Sequence, residues 1–255
     1  MSAVRDYVSQ QSVSINENDH LPLMHSCECF DSRLIIQSER LEARMCSVFE
    51  KNLLYFFYGK PSYPVGEKVE GNRTDIEYCP VCFIVPIDKV AIYEAYPFDT
   101  GAFKTKKYKD FMHRNMELSE FELVNSCEGI QKYVKAFFGD NENYIHGNAI
   151  VHVEPDDAYI AALMRLLNAT GTHSIDERAN TVEIITRENV SIKNAVECVI
   201  IPENLLRDTH IKNFLDQNGI HHIEYTVRRL TAPSRYNAVV FEKAMEYIRM
   251  RKGDT

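Results

Sequence analysis

Glycine and proline are scarce in this chain, 10 and 9 of 255 residues, which excludes a collagen-like or low-complexity polymer. Long apolar runs are lacking as well. The densest, Leu53 to Tyr58, stops at Gly59 and Lys60, far short of the roughly 20 residues a membrane-spanning helix needs. Positive charge is in deficit, with 29 Lys and Arg against 37 Asp and Glu and a net charge of -8. A surface of that sign repels polyanions at long range, so any nucleic-acid contact requires a local basic patch. The seven cysteines form an odd set with irregular spacing, which does not describe a secreted disulfide framework. Residues 1–20 are polar and lack the basic-then-apolar order of a signal peptide, so the expected location is the cytoplasm, with no membrane partner.

What is present is an ordinary globular composition, 45% hydrophobic and 26% charged. A chain this long buries roughly three quarters of its unfolded surface and is large enough to be an enzyme. Leu21 to His25 suggests a first strand, followed by a helix capped by Asp31 with Leu34, Leu41 and Met45 on one face. Val81 to Pro86 and Val90 to Phe98 read as covered strands, and a helical segment is centred on Phe111. Ile130, Tyr133, Val134, Phe137 and Phe138 recur at helical spacing, with Gly139 as the stop. Tyr144 to Val153 alternates like a strand, Pro155 and Asp156 open a helix closed by Gly171, and Thr181 to Thr186 and Ala195 to Ile201 are strands. Ile223 to Leu230 is another strand, and Asn237 to Arg251 a closing helix. These elements interleave without the regular alternation of a doubly wound sheet, so the expected fold class is α+β. The expected division is a polar N-terminal arm over 1–20 and a single mixed domain over 21–255, because no Pro, Gly or Ser-rich linker separates two halves.

The commonest phosphate-loop, dinucleotide, nucleophile-elbow and zinc-protease motifs do not occur. Cys27-Glu28-Cys29 and Cys79-Pro80-Val81-Cys82 offer four thiols, but Cys82 leads into Phe83-Ile84-Val85, where a small buried hydrophobe is expected, so no metal is assigned. A zinc-stabilised, noncatalytic interaction module using the basic clusters at Lys104 to Lys109 and Arg228 to Arg235 is the alternative reading. Asp99-Thr100-Gly101 matches the aspartic-protease triplet without a second copy to complete a dyad, and reads as a turn in which Gly101 supplies an unusual backbone angle.

Three polar islands remain: His25 on the early strand, Tyr55 to Tyr63 on the aromatic segment, and Asp176 to Ile184 around Glu183. By alternation Glu183 faces solvent between Val182 and Ile184. A histidine on an early strand, tyrosines on the next aromatic segment and a glutamate on a late strand resemble the diphtheria-toxin-like class of ADP-ribosyltransferases, over residues 20 to 230. The layout is similar to toxin-antitoxin and phage-defence transferases. That resemblance implies a split β-sheet core with surrounding helices, NAD as the cofactor, and a nucleic-acid or protein acceptor, with an antitoxin as a further partner. It implies that Glu183 stabilises positive charge developing on the ribose, that His25 orients a cofactor ribose, and that Tyr55, Tyr58 or Tyr63 stacks on nicotinamide. Tyr58 would join Glu183 and His25 as a catalytic residue, and Arg178 would pair with pyrophosphate. Glu197, on a strand running into Pro202, is the alternative carboxylate.

Overall fold

The computed structural model of the chain describes residues 2–16, 18–62, 75–151, 157–169, 177–228 and 231–253. It is an α+β protein whose chain divides into two units built from interleaved segments. One, the helical unit, takes Met1–His20, Met45–Lys51 and Ile92–Thr186, and the other, the sheet unit, takes Leu21–Arg44, Asn52–Ala91 and Arg187–Thr255.

In the sheet unit, β1 (Leu23–Glu28) runs antiparallel to β4 (Lys51–Tyr58) on one side and to β5 (Pro80–Val85) on the other. β5 pairs antiparallel with β9 (Cys198–Pro202), and β9 runs parallel to β10 (His221–Tyr225). The parallel pair requires a crossover, which α8 (Thr209–Gln217) supplies. Every residue of β5 and β9 is buried, as their unbroken apolar sequences require of strands covered on both faces. α9 (Tyr236–Lys252) packs against β5, β9 and β10. A small second ladder joins β2 (Arg40–Leu41) to β8 (Val190–Ser191), with α7 (Ile192–Ala195) following.

β1 leads directly into α2 (Cys29–Ser38), which buries Cys29, Ser32, Ile35 and Ile36. This differs from the expected face. The helix ends at Glu39 in the left-handed region, φ 58°, so Leu41 and Met45 lie beyond it, and Leu34 is exposed. Asp31 sits in the first turn, while the N-cap is Glu28. The dense aromatic run forms the strand β4, and its end fixes the entry to β1: Tyr58 Oη accepts the Leu21 N–H at 3.0 Å, and the Gly59 N–H donates to the Pro22 carbonyl at 2.8 Å. Gly59 has φ +68°, and a Cβ there would lie 2.4 Å from Leu21 Cδ1, so only glycine fits both the turn and the close approach.

In the helical unit, α1 (Ala3–Gln10) is capped by Ser2, whose hydroxyl accepts the Arg5 N–H at 3.1 Å. It buries Val4 and Val8 and packs against α4 (Cys127–Phe138) and α6 (Ala158–Leu167). Within the polar N-terminal arm, residues 3–10 are thus a helix packed into this unit. α4 is the expected amphipathic helix, capped by Ser126 and ended by Gly139. α5 (Asn141–His146) replaces the strand expected from Tyr144: the Asp140 carboxylate accepts the Asn143 N–H at 2.7 Å, and left-handed Gly147 ends the helix. Such capping outweighs a short apolar alternation. α6 is capped by Asp157, while Pro155, Asp156 and Gly171 lie outside the described residues. The segment around Phe111 is a series of turns rather than a helix. α3 (Thr100–Lys104) and the antiparallel pair β6 (Glu94–Tyr96) and β7 (Glu183–Thr186) complete this unit, and β3 (Arg44–Cys46) spans the sequence boundary between the two. Its aromatic core joins Phe98 to Phe121 at 5.2 Å and Phe138 to Tyr144 at 5.2 Å. Each fully buried ring of this kind contributes about 1.5–3 kcal/mol.

Candidate functional site

Glu183 opens β7, in which all four residues are buried, and is itself only 3% exposed. The solvent-facing placement suggested by alternation is wrong, because β7 is covered on both faces rather than one. Its neighbour across the ladder is Tyr96 on β6. Glu183 Oε2 accepts two hydrogen bonds from one residue, the Thr100 N–H at 3.1 Å and the Thr100 Oγ1–H at 2.6 Å. Thr100 is the first residue of α3, so the carboxyl accepts a backbone N–H that the helix itself leaves unbonded, together with the Thr100 hydroxyl.

Asp99 prepares that geometry. It caps α3 by accepting the Ala102 N–H at 2.8 Å and pairs with Arg178 Nη1 at 2.5 Å, while its own N–H donates to the Arg178 carbonyl at 3.1 Å. Gly101 lies within α3 and carries no positive φ, contrary to the turn expected for Asp99-Thr100-Gly101. A Cβ at Gly101 would approach Asp99 Oδ1 to 3.0 Å, so the glycine leaves room for the capping carboxylate. Buried Asp99, Thr100 and Glu183 and half-buried Arg178 thus form one polar cluster within the helical unit.

Burial pushes the Glu183 carboxyl up to about 8, reinforced by the nearby Asp99 charge and opposed by the two Thr100 bonds and by Arg178. At neutral pH it is largely protonated. Both hydrogen bonds fall on Oε2, and among the described residues no group bonds Oε1. A buried carboxyl with a displaced titration and one unclaimed oxygen is the electrostatic signature common at functional sites.

The remaining candidates lie in the sheet unit. His25, on β1, has Nδ1 2.9 Å from the Tyr55 carbonyl oxygen and its ring edge-on to Phe56, with centroids 5.8 Å apart. A carbonyl only accepts, so Nδ1 carries the proton and Nε2 of the neutral ring is an acceptor. Burial, with a smaller contribution from Arg44, lowers the pKa of His25 and favours that neutral ring, against the opposing effect of the Tyr55 bond. Tyr55 is half-buried, whereas the Tyr58 ring is fully buried and its hydroxyl holds the Leu21 N–H. Tyr63 lies outside the described residues. Glu197 is half-exposed, bonded to Arg251 at 3.1 Å and accepting from Tyr247 Oη at 3.3 Å. Among the described residues no three His, Cys, Asp or Glu side chains converge as a metal-binding set.

Sequence reasoning placed Glu183 and Arg178 in one island but did not foresee that Asp99 and Thr100, some 80 positions earlier, would be their partners. Lys60 and Ser62, within the Tyr55 to Tyr63 island but given no role by sequence reasoning, are buried polar residues that follow the strand-ending Gly59. In comparisons with known proteins, no protein-family model and no curated protein matches the chain.

Proposed function

We propose that the chain is an NAD-dependent ADP-ribosyltransferase that modifies a macromolecular acceptor, with Glu183 as its key carboxylate. The observation that carries this reading is the state of Glu183: Oε2 is anchored by Thr100 at the start of α3, and Oε1 has no partner among the described residues. A carboxyl fixed by one oxygen presents the other in a set direction, which is what preorganised stabilisation of developing charge requires. When bound, NAD supplies a nicotinamide–ribose bond whose cleavage places positive charge on the ribose.

Glu183 must be ionised to stabilise that charge, and an approaching cation favours ionisation by the same Coulombic logic that Asp99 opposes. Asp99 and Arg178 act on the reaction through Thr100. Their ion pair and the Asp99 cap hold the start of α3, and with it the two donors that orient the carboxyl. Arg178 is therefore assigned a positioning role in place of the pyrophosphate contact that the resemblance implies. In the sheet unit, taken by itself, His25 with Nε2 an acceptor suits a ribose hydroxyl donor, and Tyr55 keeps the stacking role that the resemblance implies. Tyr58, with ring and hydroxyl both engaged in the fold, is assigned a structural role.

The test is incubation with NAD labelled on the adenylate in a cell lysate, with and without nuclease or protease, beside Glu183→Ala and Glu183→Gln. Label entering a macromolecule with wild type but neither variant supports the assignment, and the enzyme treatments identify the acceptor class. A folded Glu183→Gln protein with wild-type transfer removes Glu183 from the chemistry. Absence of both NAD binding and turnover favours a noncatalytic interaction module.

A further inference from the structure

The register between β1 and β5 places two cysteines against each other. Along the ladder, Ser26 faces Cys82, Cys27 faces Val81 and Glu28 faces Pro80. One position further, Cys29 meets Cys79, and the Cys29 N–H donates to the Cys79 carbonyl at 2.9 Å. That bond brings the two backbones together where the ladder ends, and the Cys79 thiol is close enough to act electrostatically on the Cys29 thiol, the proximity a disulfide requires. Both residues are free thiols, each 1% exposed. Neither Cys27 nor Cys82 has a cysteine opposite, so this register selects one pair from the five cysteines of β1, α2, β5, β9 and the turn before β5.

We propose that Cys29 and Cys79 are a disulfide site, closed by exchange with a small-molecule disulfide such as oxidised glutathione. The Cys79 thiolate attacks one sulfur of the small disulfide, forming a mixed disulfide and expelling one small thiolate, which takes up a proton. Cys29 then loses its proton and attacks Cys79 Sγ, forming the Sγ–Sγ bond and expelling the second small thiolate, which takes up a proton. The two protein thiols are oxidised by two electrons, and the small disulfide is reduced to two thiols. The bond ties the first turn of α2 to the residue that enters β5, at the point where β1 gives way to helix.

Burial sets the kinetics. It pushes the Cys79 thiol up to about 11, and it is the main cause of a still larger rise at Cys29, to which Cys79 adds. Only the thiolate attacks, so the pair is slow to react at neutral pH and its rate rises about tenfold per pH unit below those values. This inference does not depend on the transferase reading.

The test oxidises the fully reduced wild-type protein with glutathione disulfide at pH 7.5 and 8.5, traps remaining thiols by alkylation, and maps the digest without reduction. The expected product is a linked peptide pair 2 Da lighter than its two thiol forms, assigned by fragmentation to Cys29 and Cys79. It should accumulate about tenfold faster at the higher pH, and the oxidised protein should melt several degrees higher, because the crosslink restricts the unfolded chain. Recovery of both residues as alkylated thiols, stable glutathione adducts on them, or a bond from Cys27 to Cys82 instead would each overturn the proposal.

Discussion

Replacing Glu183 by glutamine tests the interior of the helical unit without disturbing its shape. The amide oxygen still accepts the Thr100 N–H and Oγ1–H, so the two bonds to α3 survive while the titratable proton is lost. Below about pH 4.5 the wild-type carboxyl is protonated in both folded and unfolded chains and carries no penalty. Between about 4.5 and 8 the unfolded chain has released the proton and the folded one retains it, so wild-type stability falls as pH rises; above about 8 the loss is complete. At about 1.4 kcal/mol per pH unit, the displacement from 4.5 to about 8 sets an upper bound near 5 kcal/mol, and water entry on ionisation brings the expected effect to about 2–4 kcal/mol. Urea titrations of both proteins at pH 5, 7 and 9 measure it. With a slope near 3 kcal/mol per molar for a chain of this size, the glutamine variant should gain roughly 1 M in midpoint over wild type between pH 5 and pH 9. An identical difference between the two proteins at pH 5 and pH 9 would falsify the claim that Glu183 is held protonated by its surroundings.

The other predictions concern neighbouring groups. Asp99→Asn keeps a capping acceptor but removes the charge facing Arg178, and should cost about 2–4 kcal/mol by thermal or urea unfolding while shifting the Glu183 titration downward. Gly59→Ala meets both the positive φ and the Leu21 contact, and should destabilise by about 2–4 kcal/mol in the same assay. Tyr58→Phe leaves the Leu21 N–H without its buried acceptor, a loss of about 1–2 kcal/mol, with NAD affinity by calorimetry within twofold of wild type. If transfer requires ionised Glu183, kcat/KM for NAD should climb with pH and level off above about 8; a flat profile from pH 6 to 9 speaks against that requirement.

The fold was most readable where one signal had no rival. The 130–138 face, with Ser126 before it and Gly139 after it, became α4 because capping and periodicity agreed. Apolar runs at 80–85 and 198–202 became fully covered strands for the same reason. At Tyr144 a weak alternation competes with the caps Asp140 and Gly147, and the caps decide for the short helix α5. Glu183 is a different case: a polar residue in an alternating strand faces water only when one side of the strand is open, and that depends on what packs over β7. The partnership of Glu183 with Thr100 joins positions 83 apart, and no local pattern encodes it. Asp99-Thr100-Gly101 was conspicuous, yet its meaning as a helix cap emerged only with α3 in place. The Cys29 and Cys79 pairing follows from a register that the two cysteine motifs alone do not set.

The interleaving of the two units constrains how this protein is taken apart at the bench. The helical unit needs residues from the first 20, a short stretch near 45–51 and the long segment 92–186, and the sheet unit takes up the intervening chain. No single cut yields a contiguous polypeptide that holds all of one unit and nothing of the other. Removing residues 1–20 as a dispensable leader deletes α1, with buried Val4 and Val8, from the unit that holds Glu183. Any terminal deletion that removes part of one unit leaves segments of the other attached, so point substitution in the uncut chain localises function more cleanly than deletion mapping.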